Sequence, residues 1–222
     1  MTSMLALPLY DLPTRSSSGF LLRWIAPRMG PVQLISILDT SGAFQALSVP
    51  SDIIVATGHG NPDILTGHKE AVILRVGDYD PKVVAGKVLK FLSCQTGNQL
   101  GPDTINNGAL SYAGYGADYV WVVDADKWMT PWSDEFAAKS IMPVVDSINA
   151  LLDGETAQTA FDIEMEGYTR NADLTENELI RSCLKYNRNN AVLLGDPEAR
   201  VKPRPKITMP LPPPPIIVPV NL

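Results

Sequence analysis

Short runs of β-branched and apolar residues alternate with polar, glycine-containing breaks along most of this chain. Two runs have the continuous apolar character of strands covered on both faces, Ile53-Ile54-Val55-Ala56-Thr57 and Val88-Leu89-Lys90-Phe91-Leu92. Weaker strand patterns fall at residues 19–25, 32–38, 71–76, 119–123 and 191–194. Helical spacing is longest over 133–152, where Pro143 predicts a kink or a split. Two more helices are expected at 155–168 and 175–186, and shorter ones at 41–47, 80–85 and within 101–113. Strands that alternate with helices in this way predict a three-layer αβα sandwich in one domain. That domain runs over 20–201, between an N-terminal arm at 1–19 without periodicity and a Pro-rich tail at 202–222. The tail, with Pro212-Pro213-Pro214-Pro215 followed by Ile216-Ile217-Val218, favours extended polyproline structure and is expected to dock on a partner or a second copy of the chain.

Composition narrows the classes of function. In 222 residues there are 18 Lys and Arg against 24 Asp and Glu, a net charge of −6. This balance argues against a nucleic-acid-binding face, and no basic run suggests an anionic membrane surface. The apolar runs are strand-sized, so no membrane-spanning helix is expected. Residues 1–10 lack the basic start of a signal peptide. With only two cysteines there is no disulfide framework. A cytoplasmic protein is the simplest expectation, with secretion by an atypical signal left open.

The two strongest strand patterns each stop at a chemically capable side chain. The first leads into Gly58-His59-Gly60 and the second into Ser93-Cys94-Gln95-Thr96-Gly97. Sites in open α/β sheets collect at the carboxyl ends of strands, so His59 and Cys94 are candidates for a catalytic pair. Imidazole can take a proton from a thiol and return it to a leaving group. A glycine-flanked histidine is equally compatible with a hydrogen-bonded turn, and a lone cysteine with a small core residue. His68 and Cys183 end no strand. Two His and two Cys, scattered and without a CxxC, make no zinc site, and no cofactor motif is present.

A strand ending in His-Gly, followed some 35 residues later by one ending in Ser-Cys-x-x-Gly, resembles the caspase–gingipain group of cysteine peptidases (clan CD). Three later features strengthen the resemblance. Residues 109–117, Ala-Leu-Ser-Tyr-Ala-Gly-Tyr-Gly-Ala, resemble the group's helix-to-strand passage; Leu193-Leu194-Gly195-Asp196-Pro197 resembles the ending of gingipain-like domains; and residues 143–161 are similar to gingipain-like and CHAT domains. The resemblance covers about residues 50–200 and implies a mostly parallel central sheet. It implies a cysteine endopeptidase in which Cys94 attacks a peptide carbonyl and His59 serves as base and acid. The backbone N–H groups of Gly60 and Cys94 would form the oxyanion hole, with no third residue needed, and a polypeptide would be the substrate.

One departure concerns specificity. Basic-specific relatives carry an acidic residue two positions before the nucleophile, where this chain has Leu92. Asp124 and Asp126, then Trp128 and Trp132, are the expected candidates for substrate binding. Two other classes stay open: a catalytically silent scaffold that binds a partner, and a thiol hydrolase of non-peptide amides or esters.

Overall fold

The computed structural model describes residues 2–29 and 40–201 in full and the backbone of 32–35; the expected docking of the tail and the end of the predicted 32–38 strand lie outside these residues. Among the described residues nine strands form: β1 Ser3–Ala6, β2 Val32–Ile35, β3 Ile53–Thr57, β4 Gly60–Asn61, β5 Ile64–Thr66, β6 Val72–Arg75, β7 Val88–Leu92, β8 Ser111–Tyr115 and β9 Ala191–Gly195. Six α-helices accompany them: α1 Leu12–Trp24, α2 Ser41–Ser48, α3 Leu100–Asn106, α4 Glu135–Leu152, α5 Ala157–Leu174 and α6 Glu178–Asn190. The main sheet has the order β2-β1-β3-β7-β8-β9, parallel throughout except for β9, which runs antiparallel to β8. Strands β4, β5 and β6 make a separate antiparallel sheet. The αβα sandwich with a mostly parallel central sheet is therefore observed.

Strand periodicity divides the core into two layers. Ile53, Val55, Val88 and Leu92 face a cluster shared with α1, α4, α5 and α6, in which Phe20, Leu21, Ile141, Ile148, Tyr168 and Leu184 are buried. Ile54, Ala56, Leu89 and Phe91 face the opposite cluster with Phe44, Leu65, Ile73 and Val84. Alternate residues of a strand point to opposite faces, and both faces are covered, which explains the continuous apolar character of β3 and β7. Lys90 breaks that run. It is 1% exposed, faces the helical layer and bonds Glu164 of α5, itself 0% exposed, at 2.6 Å. The Tyr115 hydroxyl donates to the other Glu164 oxygen at 2.5 Å and also meets the Tyr168 hydroxyl at 2.6 Å. Burial, with the Glu164 charge second, pushes the Tyr115 hydroxyl well above its ordinary pKa, so it acts as a neutral donor.

Several sequence expectations are corrected. The stretch expected as an arm holds Ser3–Ala6, the strand between β2 and β3, and the start of α1 at Leu12. Of residues 19–25, expected as a strand, 19–24 continue that helix and Ile25 is its C-cap. Asp11 caps it in a capping box with Thr14, and Pro13 sits in its first turn, where a missing N–H costs nothing. Residues 119–123, expected as a buried strand, form an irregular segment, and the strand beside β7 is Ser111–Tyr115, part of which was expected to be helical. α4 runs unbroken through Pro143. The carbonyl of Lys139, which lacks an amide partner at position 143, accepts instead from the Asn171 side chain of α5 at 2.7 Å. Gly167 makes room for the ring, since a Cβ there would stand 2.8 Å from Pro143 Cβ.

The buried ion pair gives a stability test. Glu164→Leu, which strands the Lys90 ammonium in the core, is expected to cost about 3–5 kcal/mol in urea denaturation. The double variant Lys90→Met/Glu164→Leu is expected to recover most of that loss.

Candidate active site

The parallel pairing of β3 with β7, in register at Thr57 and Leu92, brings the two strand ends side by side. Each then turns within two residues. Gly58 has φ +144°, and a Cβ there would stand 2.1 Å from the Thr66 carbonyl oxygen, so only glycine fits. Thr66 holds the next residue by donating from its backbone N–H (2.9 Å) and its hydroxyl (3.0 Å) to the His59 carbonyl. After β7, Gln95 takes φ +58°, and its N–H donates to Ala117 at 3.0 Å while the Gly97 N–H donates to Tyr115 at 2.8 Å. The Cys94 turn is thus fastened to the segment that follows β8. The two turns touch at Gly60, where a Cβ would lie 2.2 Å from Ser93 Oγ and 2.6 Å from the Cys94 carbonyl oxygen.

His59 and Cys94 line one cavity of about 400 Å³. Its other walls come from Pro13, Thr14 and Ser17 of α1, from Leu92 and Ser93, and from the 118–123 segment. Helix α1 is anchored beneath His59, because buried Ser18 bonds both the Pro8 carbonyl and the Thr57 hydroxyl at 2.7 Å.

Sequence reasoning missed one residue that touches the pair. Asp11, the cap of α1, meets His59 Nε2 through Oδ2 at 2.7 Å. With a carboxylate accepting from Nε2–H, Nδ1 is the ring nitrogen left to take a proton. Burial pushes the Asp11 carboxyl up, but hydrogen bonds from Thr14 and His59 outweigh it and hold it below its ordinary value. Tyr10 packs edge-on against His59 and His68, with ring centroids 6.1 and 5.5 Å away; its hydroxyl is pushed up to about 12, chiefly by burial. Asp11 falls in the stretch read as an arm, and its partner, 48 residues away, has no local signal.

The surroundings of the Cys94 thiol disfavour its ionisation. Burial pushes the Cys94 thiol above its ordinary pKa, the Tyr119 backbone N–H pulls it back in part, and the Asp118 carboxylate pushes it up again. Asp118 is exposed, and its Oδ1 accepts from the Gln95 amide at 2.8 Å.

The expected substrate-binding residues stand elsewhere. Asp124, Asp126, Trp128 and Trp132 do not line the cavity. Asp124 caps a short 3-10 turn, accepting from the Asp126 N–H at 3.0 Å. Trp128 is 48% exposed beneath the Arg15 guanidinium at 4.8 Å, and Trp132 is 43% exposed. The tryptophan in the wall is Trp121, whose indole N–H donates to Ser16 of α1 at 3.1 Å. Among the described residues no three His, Cys, Asp or Glu side chains gather into a metal-binding group, and no helix is long and apolar enough to cross a membrane.

This architecture, with parallel strands ending at His59 and Cys94 between helical layers, is a caspase-like fold of the gingipain type. The Arg specific cysteine proteinase gingipain R (RgpB) shares it with a TM-score of 0.58 at 8% identity, over 90% of this chain and 47% of that one. A structure of the Porphyromonas gingivalis RgpB pro- and mature domains in complex matches with a TM-score of 0.58 at 11% identity, over 90% and 48%. The chain therefore spans about half the length of these chains, and the likeness is one of fold. No family model matches the sequence, and neither does any curated protein.

The raised thiol sets a measurable pH dependence. Alkylation of Cys94 by iodoacetamide, followed peptide by peptide to separate it from Cys183, is expected to rise with pH and to have its midpoint above the ordinary thiol value. Asp118→Asn removes a charge that disfavours the thiolate and is expected to move the midpoint down.

Proposed function

We propose that this protein is a cysteine endopeptidase with Cys94 as nucleophile and His59 as general base and acid. The observation that carries the reading is that these two residues line one cavity at the carboxyl edge of adjacent parallel strands, with the imidazole bonded to Asp11. The fold shared with a cysteine proteinase supports peptidase chemistry in general. The positions of the pair supply the particular form proposed here.

The reaction starts from the thiol, whose ionisation its surroundings disfavour. As Sγ attacks the carbonyl carbon of a peptide bond, His59 takes the thiol proton on Nδ1 and Asp11 offsets the positive charge that develops on the ring. The carbonyl oxygen becomes an oxyanion, which the backbone N–H groups of Gly60 and Cys94 would receive. The close approach of Gly60 to the Cys94 turn supports that assignment. Collapse of the tetrahedral intermediate breaks the C–N bond, and His59 gives its proton to the departing amine. Water, deprotonated by the same imidazole, then hydrolyses the thioester and restores the thiol. Asp11 acts as a positioning residue, because it fixes the tautomer and the ring without touching substrate.

The test is labelling by a thiol-directed acyloxymethyl-ketone probe together with cleavage of a mixed peptide library. Both are expected to vanish in Cys94→Ala, and His59→Ala is expected to lower kcat/KM by about 10²–10⁴. Asp11→Ala is expected to lower kcat more than it changes KM and to cost about 1 kcal/mol of stability through the lost cap. Equal labelling and cleavage by the unaltered protein and Cys94→Ala would overturn the reading. Labelling without cleavage of any peptide would replace it with hydrolysis of non-peptide amides or esters.

A further inference from the structure

On the reading of Cys94 as the nucleophile, the cavity beside it defines the side chain that the acyl half of the substrate can offer. Its walls are mostly apolar or aromatic: Pro13, Leu92, Tyr119, Val120, Trp121 and Val123. The polar side chains in the lining are largely engaged with the protein itself. The Thr14 hydroxyl bonds Asp11 Oδ1 at 2.5 Å, and the Ser17 hydroxyl donates to the Pro13 carbonyl at 3.1 Å. Ser93 Oγ is buried without a partner among the described residues, but it lies against Gly60, at the oxyanion end, and carries no charge.

No buried carboxylate is available in these walls to neutralise a cation. Both oxygens of Asp11 are occupied, Oδ1 by Thr14 and Oδ2 by His59, and Asp11 does not line the cavity. Asp118 also lines the cavity, but it is exposed to solvent, with one oxygen bonded to Gln95. A guanidinium or ammonium entering the cavity would lose its water and meet no buried counter-charge, which is costly. An aliphatic or aromatic side chain would lose apolar contact with water and gain it with the walls.

We propose that this cavity is the primary specificity pocket and takes an uncharged, apolar side chain, such as Leu, Met or Phe, from the residue preceding the scissile bond. Trp121 is its specificity-determining wall. The indole is fixed from both sides, by the hydrogen bond to Ser16 and by packing against the Tyr119 ring at 5.2 Å between centroids. It presents a rigid face to whatever enters. A volume of about 400 Å³ has room for such a side chain together with the reacting carbonyl.

The experiment compares acyloxymethyl-ketone probes and matched fluorogenic peptides that carry Leu, Phe, Arg or Lys at this position, using the full chain. Leu or Phe is expected to exceed Arg and Lys by at least about tenfold in both labelling rate and kcat/KM. Val123→Asp places a carboxylate in the wall at a half-buried residue that belongs to neither core cluster. It is expected to raise relative rates for Arg and Lys by at least about tenfold. Val120→Asp serves as a second variant should the first lose its circular-dichroism signature. Faster reaction with Arg or Lys in the unaltered protein overturns the pocket assignment while leaving the peptidase reading intact. An unchanged ranking in a folded Asp variant also overturns the assignment. Absence of any Cys94 labelling and of any peptide cleavage removes the peptidase reading, and the pocket with it.

Discussion

The parallel pairing of β3 with β7 is the constraint on which the rest of the structure depends. Because the two strands point the same way and are adjacent in the sheet, their carboxyl ends lie together, and a histidine and a cysteine 35 positions apart in sequence line one cavity. The pairing is locked on one face by the Lys90–Glu164 ion pair, which ties β7 to α5 from a fully buried position. A buried ion pair adds little net stability compared with well-packed apolar residues, but it is costly to break on one side only. Lys90 therefore discriminates against a register slip in β7, since a shift of one residue would turn the ammonium toward the opposite apolar cluster, with no acceptor comparable to Glu164.

The cavity is walled by an early helix and an irregular segment, neither of which the hydrophobic pattern marked as such. The residue before α1 bonds the imidazole, and the helix itself supplies Pro13, Thr14 and Ser17 to the cavity wall. The irregular 118–123 segment supplies more of the wall, joined to α1 by the Trp121–Ser16 hydrogen bond. The amino-terminal residues thus do two jobs. They add an inner strand to the sheet, and they hold His59 through a carboxylate that is also a helix cap.

On the proposed reading, the surroundings of the pair suit a nucleophile that is activated during reaction. Asp118 beside the thiol disfavours the thiolate, and Asp11 holds the imidazole through Nε2. On the same reading, the mostly apolar cavity walls leave recognition to an uncharged side chain.

Local patterns carried a large share of the architecture. The β3 and β7 runs, the Gly-flanked His59 and the turn after Cys94 stand in the sequence as contiguous residues, because strand burial and turn chemistry are local properties. The order of those landmarks was enough to indicate the sandwich and its mostly parallel sheet, and the spacing of apolar residues marked α4, though with a break at Pro143 that does not form, as well as α5 and α6. Three features were decided only by tertiary structure. Ser3–Ala6 is too short to announce itself as a strand and becomes one by pairing with neighbours on both sides. The 119–123 run is as apolar as a strand, yet its neighbours Ser111–Tyr115 take the place beside β7, leaving it free to wall the cavity. Asp11 lies in the stretch read as an arm, and nothing in its neighbours points to His59. Hydrophobic periodicity specifies which face of an element is buried; which distant carboxylate reaches an imidazole is settled by packing, which has no local signature.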